Sequence, residues 1–162
     1  NLSQKKLLYY SKRIIKITTK HKVKFIINDN FILASKIKVD GCHMGQLDGS
    51  FKIARKKLKG KILGITCHNS KILANNAIEN KADYIAFGSF SKSRLKPNAK
   101  KANIKVLKWA KKNVKKPIVV IGGINNVNYK RLIKAGAKYI AISSFIWDNP
   151  NLKPETAIRK FK

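Results

Sequence analysis

The chain has 162 residues, 44% of them hydrophobic, and its 37 Lys and Arg against seven Asp and Glu give a formal net charge of +30. This length predicts one domain with a single core, residues 1–162, and no apolar run approaches the roughly 18 residues of a membrane-spanning helix. The charge suggests nucleic-acid binding, but the lysines are scattered over every predicted helix and form no recognised motif. We therefore expect phosphorylated small molecules as partners, and neither nucleic acid nor a membrane.

Strand and helix patterns alternate along the chain. Ser3 is placed to cap a first helix whose apolar face includes Leu7 and Ile14. Apolar runs predict buried strands at Lys24–Asn28, Gly41–Gly45, Lys61–Thr66, Tyr84–Gly88, Pro117–Ile121 and Tyr139–Ser143. Helical patterns lie between or after them, at Phe31–Lys36, Phe51–Leu58, Lys71–Asn80, Ile104–Lys112, Val127–Lys134 and Glu155–Phe161. Such repeated units predict an α/β fold with a parallel sheet, either open and doubly wound or part of an eight-stranded barrel.

Two of the seven acidic residues follow predicted strands. Asp29 comes directly after Ile26-Ile27-Asn28, and Asp48 ends the run that begins at Cys42. The carboxyl ends of neighbouring parallel strands meet at the edge where α/β proteins place their chemistry. Paired carboxylates at such an edge suit Mg²⁺, usually with a substrate phosphate completing its shell. Alternatively, each Asp caps the helix that follows it. The spacing alone leaves both interpretations open.

Small residues after the last two strands predict a phosphate site. Gly122 and Gly123 follow the fifth strand, and the helix starting near Asn128 would add its positive end. Ser143 and Ser144 follow the sixth strand and supply hydroxyl groups. The alternative is that the glycines only permit a tight turn. Because both loops agree, we favour phosphate binding.

A long basic stretch from Gly88 to Asn103 exceeds the length of a simple connection. Its Lys92, Arg94 and Lys96 would close over a diphosphate or lie on a solvated surface loop. Taken alone, the stretch favours the surface loop.

Histidine and cysteine occur side by side at two strands. Thr66 at the end of the third strand is a candidate donor to a phosphate oxygen, and His68 is either an acid/base group or a plain loop residue. The pairs Cys42-His43 and Cys67-His68 suggest zinc, but adjacent strand residues point to opposite faces and the spacing matches no usual zinc pattern. Two cysteines predict no disulfide framework, so we expect a reducing cytoplasm.

Taken together, these motifs resemble the thiamine phosphate synthase family of TIM-barrel transferases. The match runs in order through Ile27-Asn28-Asp29, the residues from Asp40 to Asp48, Gly64-Ile65-Thr66-Cys67-His68, Ala82-Asp83-Tyr84-Ile85, Gly122-Gly123-Ile124 and Ala135-Gly136-Ala137. The resemblance implies a TIM (β/α)8-type barrel, here with about six of the eight strands. It also implies a transferase that joins 4-amino-2-methyl-5-(diphosphooxymethyl)pyrimidine to a thiazole phosphate, giving thiamine phosphate and pyrophosphate.

The same resemblance implies roles for individual residues. Asp29 and Asp48 would bind Mg²⁺ as cofactor. Asn28, Thr66 and Lys96 would contact the pyrimidine diphosphate, with Thr66 and Lys96 as the catalytic pair. No protein nucleophile is required. Departure of pyrophosphate leaves a pyrimidine-methyl cation, and the thiazole nitrogen attacks this cation directly.

The thiazole phosphate would be held by Gly123, Ser143 and Ser144, again by resemblance. In the long loop, the family's Thr-x-Thr is replaced by Ser93-Arg94-Leu95, in which Ser93 can supply a substrate-binding hydroxyl and Leu95 cannot. The family also begins with two further strands, the second carrying Gln-x-Arg-x-Lys, so we expect this chain to lack them. Open hydrophobic sheet edges would then favour aggregation or a homo-oligomer.

Two alternative functions remain. A related branch of the same barrel consists of thiazole tautomerases, in which His68 would move protons; Asp48 argues against it, because that branch typically lacks the second metal carboxylate. The other is a non-enzymatic basic protein that binds nucleic acid through its lysines.

Overall fold

The computed structural model describes residues 3–91 and 101–161, which alternate between helices and strands. The strands are β1 (Ile26–Asn28), β2 (Gly41–Met44), β3 (Ile62–His68), β4 (Tyr84–Phe87), β5 (Ile118–Ile121) and β6 (Tyr139–Ala141). The helices are α1 (Gln4–Lys20), α2 (Phe31–Lys36), α3 (Phe51–Leu58), α4 (Lys71–Glu79), α5 (Ile104–Asn113), α6 (Tyr129–Ala135), α7 (Ser144–Trp147) and α8 (Pro154–Ile158). Every predicted element is confirmed with small shifts at its ends, and α7 is an element that the prediction missed.

Side-chain caps explain where several helices begin. Asn30, Ser50, Ser70 and Asn103 each accept a hydrogen bond from a backbone N–H in the first turn of α2, α3, α4 and α5, respectively. Such a cap satisfies a donor that the helix itself leaves unpaired. The predicted cap of α1 is also present, since Ser3 accepts from the backbone N–H of Lys6.

The strand order decides between the two predicted architectures. All neighbouring strands pair in parallel, and the sheet runs β1-β2-β3-β4-β5-β6 in chain order. A doubly wound sheet reverses its strand order at a switch point, whereas a barrel adds each new strand on the same side. Because the order never reverses, the barrel interpretation is confirmed, with β1 and β6 at the edges of the described sheet.

The two faces of the sheet differ in what covers them. Residues on one face, such as Cys42, Leu63, Ile65 and Ile85, are fully buried in a core with helical residues such as Leu107. The residues that alternate with them form the other face, called here the inner face: Asn28, His43, Gly64, Thr66, Tyr84, Ala86, Val119, Ile121, Tyr139 and Ala141. This alternation separates the packing face from the face that carries polar groups.

Two aspartates fasten the amino ends of the strands. The carboxylate of Asp40 accepts from the backbone N–H of Phe25 at 2.8 Å and from Lys24 Nζ at 3.4 Å. One oxygen of Asp83 accepts from the Leu63 N–H and from Arg55 Nη1, both at 2.8 Å. The hydrogen bond from Phe25 is the main reason that the pKa of Asp40 lies below its ordinary value. Each aspartate therefore joins the start of its own strand to the preceding strand.

Across the described ranges, no helix combines the length and the apolar character needed to cross a membrane.

Candidate active site

Asp29 and Asp48 both lie at the carboxyl edge of the sheet, and neither caps a helix. The cap of α2 is Asn30, whose side chain accepts from the Leu33 N–H at 2.8 Å, and the cap of α3 is Ser50. Asp48 instead accepts from the Gly45 N–H at 2.6 Å, which holds its carboxylate beside the end of β2. The helix-capping interpretation is therefore wrong for both aspartates.

The backbone around Asp29 brings its strand end onto β2. Asp29 has a left-handed φ of 66°, and its N–H donates to the carbonyl of His43 at 2.7 Å. Non-glycine residues adopt such a φ infrequently. The chain thus turns sharply between β1 and α2 and leaves Asp29 exposed at the edge.

The negative charges of both carboxylates affect the same residue of β2, Cys42. Burial, together with the negative charges of Asp29 and Asp48, raises the pKa of the Cys42 thiol to about 12. Asp40 and Asp83 form ion pairs at the amino edge of the sheet. Asp48 forms no ion pair with another described residue. The residues fit a hard cation, because two carboxylates supply oxygen ligands and a substrate phosphate would supply others.

No cluster of three or more His, Cys, Asp or Glu side chains arranged to hold a metal occurs within residues 3–91 and 101–161. Mg²⁺ characteristically binds through one or two carboxylates and keeps water or substrate oxygens for its remaining positions. A two-carboxylate site is thus compatible with this finding.

The zinc interpretation also fails on the positions of the cysteines. Cys42 and Cys67 are fully buried in the core, while His43 lies on the inner face and His68 is exposed at the end of β3. Mainly through burial, the pKa of both thiols is raised to about 12, which disfavours the thiolate form that binds zinc.

A hydrogen-bonded group on the inner face was not predicted. The His43 ring contacts Thr66 Oγ1 through Nε2 at 2.7 Å and the Tyr84 hydroxyl through Nδ1 at 2.9 Å. The side chain of Gln46 donates to the backbone carbonyl of Thr66. Burial lowers the pKa of His43, an effect that the charge of Asp48 opposes. Thr66, a predicted substrate-binding residue, therefore belongs to a hydrogen-bonded group that also contains His43, Tyr84 and Gln46.

The amino-acid sequence contains only part of the information needed to predict this hydrogen-bonded group. His43 is a polar residue within an apolar strand, and Tyr84 opens another. Strand alternation places each on one of two faces, but it does not say which residues of different strands meet. The observed register supplies that, since His43 lies opposite Gly64 and Gly64 lies opposite Tyr84.

The loop after β5 is tightly packed against the chain that follows β4. Gly122 and Gly123 have φ values of 91° and 64°. The Gly122 carbonyl accepts from the N–H groups of Phe90 and Ser91, at 3.2 and 3.1 Å, and a Cβ on Gly122 would overlap Ser89. This packing requires glycine at position 122. A phosphate contact of Gly123 stays a prediction.

The loop after β6 differs from its prediction in one respect. β6 ends at Ala141, and Ser143 and Ser144 belong to the start of the short helix α7 rather than to the strand. Ser143 is exposed and its side chain makes no capping hydrogen bond. Because β5 and β6 are neighbours, Gly123 and the two serines lie at the same edge of the sheet, as predicted.

The predicted residues Ser93 and Lys96 lie outside the described residues, as do Lys92, Arg94 and Leu95. The chain on either side of them is anchored near Gly122. Ser91 donates to the Gly122 carbonyl, and the Ala102 N–H donates to the Ser89 carbonyl at 2.7 Å. Asn28, the remaining predicted residue, is exposed at the end of β1, beside His43 in the sheet.

Comparison with known proteins identifies the family to which the chain is similar. Residues 1–146 match the family model described as thiamine monophosphate synthase. The chain is 52% identical over 155 residues to the thiamine-phosphate synthase of Pelagibacter ubique, covering 96% of this chain and 75% of that protein. It is 42% identical over 134 residues to the thiamine-phosphate synthase of Erythrobacter litoralis, covering 81% of this chain and 63% of that protein.

A solved structure supports the fold. The thiamine phosphate pyrophosphorylase from Pyrococcus furiosus superimposes with a TM-score of 0.90 at 24% identity, covering 99% of this chain and 76% of that one. The chain thus spans between 63% and 76% of the length of these three proteins. On the extent of the family match and the identity to its curated relatives, the chain belongs to the thiamine monophosphate synthase family.

Proposed function

We propose that this chain joins 4-amino-2-methyl-5-(diphosphooxymethyl)pyrimidine to a thiazole phosphate, giving thiamine phosphate and pyrophosphate in thiamine biosynthesis. The observation that carries the proposal is the placement of Asp29 and Asp48 at the carboxyl edge of neighbouring strands, where other residues cap the helices. The reaction itself is proposed from membership of the family. A pair of carboxylates suits this reaction, because it could hold a metal ion beside the diphosphate of the substrate.

Asp29 and Asp48 would hold Mg²⁺ between them, with the diphosphate of the pyrimidine substrate completing the shell. The ion would stabilise the negative charge that develops on departing pyrophosphate. Thr66 and Asn28 would donate to the same diphosphate from the inner face. Lys96 would add a positive charge as the second catalytic residue, and Ser93 a hydroxyl contact.

The second substrate would bind at the same edge of the sheet, at the loops that follow β5 and β6. Gly123, Ser143 and Ser144 would hold the thiazole phosphate. This proposal is supported by the common edge of the β5 and β6 loops and by the exposed side chain of Ser143, which makes no capping hydrogen bond to α7. The net charge of +30 would attract both phosphorylated substrates.

We also propose a cytoplasmic enzyme in which residues 1–162 act as one domain. Both cysteines are free and buried, which suits a reducing compartment. Self-association of the chain through its edge strands remains a prediction, as do the tautomerase and nucleic-acid-binding alternatives. No contact of the described residues favours either alternative, and the carboxylate at position 48 favours the synthase.

The proposal is tested by measuring thiamine phosphate formation from the two substrates, with Mg²⁺ and with excess chelator. The Pelagibacter relative serves as the positive control under identical conditions. We expect product with Mg²⁺ and none with chelator. Product that forms equally with chelator, or no product while the relative is active, would contradict the proposal.

A further inference from the structure

Gly64 makes room for a contact between two side chains on its neighbouring strands. It lies between His43 and Tyr84 in the register of the sheet, and a Cβ at position 64 would overlap the Tyr84 ring. The phenol ring therefore crosses β3 and stacks on the imidazole, with ring centroids 5.5 Å apart and an interplanar angle of 13°. Glycine weakens the interior of a strand and often marks a close approach of this kind.

The protons along Tyr84, His43 and Thr66 have two possible arrangements. In a neutral imidazole one nitrogen donates and the other accepts. If Nδ1 carried the proton, it would donate to the Tyr84 oxygen, and the phenol proton would need another acceptor. Within the described ranges, His43 is the hydrogen-bond partner of the Tyr84 hydroxyl and nothing else accepts from it.

The second arrangement gives the Tyr84 hydroxyl and both ring nitrogens a partner, and it moves the one donor left unpaired among these three side chains from Tyr84 to Thr66. The Tyr84 hydroxyl donates to Nδ1, the proton sits on Nε2, and Nε2–H donates to Thr66 Oγ1. Burial raises the pKa of Tyr84 to about 12, so the phenol keeps the proton that it donates. Because Thr66 Oγ1 now accepts from His43, its own O–H proton points away from the ring and is available to a ligand.

We propose that Tyr84 is a positioning residue, which sets the Nε2–H tautomer of His43 and so turns the Thr66 hydroxyl into a donor toward a diphosphate oxygen of the substrate. The identity of that acceptor rests on the proposed function, whereas the tautomer does not. Thr66 is suited to this role, because it is half-buried near the carboxyl end of β3, two residues beyond Gly64 on the same face.

The tautomer is tested first, by nitrogen NMR of the chain labelled with ¹⁵N-histidine, at about pH 8, where a neutral imidazole is expected. His43→Gln identifies the His43 signals among the three histidines. We expect a protonated Nε2 and an unprotonated Nδ1 in the native chain, and a mixture of tautomers in Tyr84→Phe. A protonated Nδ1 in the native chain, or an unchanged spectrum in Tyr84→Phe, would overturn the proposal.

The effect on Thr66 is tested with Mg²⁺ and inorganic pyrophosphate as the probe. We expect Thr66→Val to weaken pyrophosphate binding about tenfold, the loss of one hydrogen bond to a charged group. Tyr84→Phe should weaken it about threefold, because only part of the population then presents the Thr66 proton correctly. In the Thr66→Val background, Tyr84→Phe should have no further effect. Tyr10→Phe, which removes an exposed hydroxyl on α1, is the matched control and should change nothing.

The outcomes separate this proposal from the proposed function. Independent, additive effects of Tyr84→Phe and Thr66→Val would overturn the link to Thr66, even with the expected tautomer. If the native chain bound no pyrophosphate, the proposed function and the acceptor would both fail, while the NMR spectrum would still decide whether Tyr84 sets the tautomer.

Discussion

Aspartates at the two ends of the sheet have different surroundings. At the amino edge, Asp40 and Asp83 accept from backbone N–H groups of the preceding strand and pair with Lys24 and Arg55. At the carboxyl edge, Asp29 and Asp48 lie next to helices that other residues cap. Barrel proteins separate stability and chemistry in the same way, with stability residues at the amino end of the strands. The structural carboxylates thus lie at the amino ends of the strands, and the carboxylates proposed as metal ligands lie at the carboxyl ends.

The largest effect should come from Asp48→Asn. The substitution keeps the size of the side chain but removes one of two metal-binding charges, so we expect synthase activity to fall by about two to three orders of magnitude. The melting temperature should stay within about 2 °C, because no ion pair of the described residues is lost. The assay is product formation with saturating Mg²⁺.

Glu79→Gln is the matched control for that substitution. It also removes one negative charge, but from the exposed end of α4. We expect it to leave turnover unchanged. An equal loss in both variants would mean that net charge, and not the position of Asp48, governs activity.

A pair of glycine substitutions compares the packing at the two edges. Gly122 at the carboxyl edge and Gly60 before β3 have similar φ values of 91° and 81°, but a Cβ would overlap Ser89 at the first and meet nothing within 4 Å at the second. Gly122→Ala should lower the free energy of unfolding by about 3 kcal/mol, from backbone strain plus overlap. Gly60→Ala should cost about 1 kcal/mol, from strain alone. Urea denaturation measures both, and equal costs would contradict the packing argument.

Asp83→Ala tests the structural role of the amino edge. It leaves the Leu63 N–H without its acceptor and removes the partner of Arg55, whose side chain is only 19% exposed. We expect the free energy of unfolding to fall by about 2 kcal/mol, with pyrophosphate binding preserved once the variant is folded. Loss of binding without loss of stability would show that the two edges are not separate in function.

The smallest effect should be the acid dependence due to Asp40. Its pKa is lowered from the ordinary 3.8, mainly by the Phe25 N–H, so its stabilisation is present above that value and is lost as pH falls through the folded pKa. Asp40→Asn should therefore flatten the loss of stability between about pH 5 and pH 3. Lys24 is 70% exposed, so its contribution is screened and small. Parallel urea titrations of both proteins over this range measure the difference, and parallel curves would contradict it.

The fold was predictable because its strands are short apolar runs separated by polar helices. The short helix α7 was missed, since Ser143 and Ser144 continue an apolar run and look like the end of a strand. Strand order was left open between two architectures, because order depends on contacts between strands far apart in the chain.

The sequence predicted that several candidate residues would lie at the carboxyl edge of the sheet, but it did not predict the contacts between side chains there. Asp29 and Asp48 were predicted as metal ligands or helix caps, and only the structure shows that the neighbouring residues Asn30 and Ser50 cap the helices instead. The contact of His43 with Tyr84 depends on the register of three strands and on the missing side chain of Gly64. Sequence reasoning from single motifs does not reach such a contact.

The most direct test of the carboxyl-edge metal pair is calorimetric titration of pyrophosphate into the native chain and into Asp48→Asn, each with and without Mg²⁺. We predict that Mg²⁺ strengthens binding by at least about tenfold in the native chain and has no effect in Asp48→Asn. If Mg²⁺ strengthens binding equally in both proteins, Asp48 does not hold the ion. The proposal that the carboxyl-edge aspartates bind a metal while the amino-edge aspartates stabilise the fold would then be wrong.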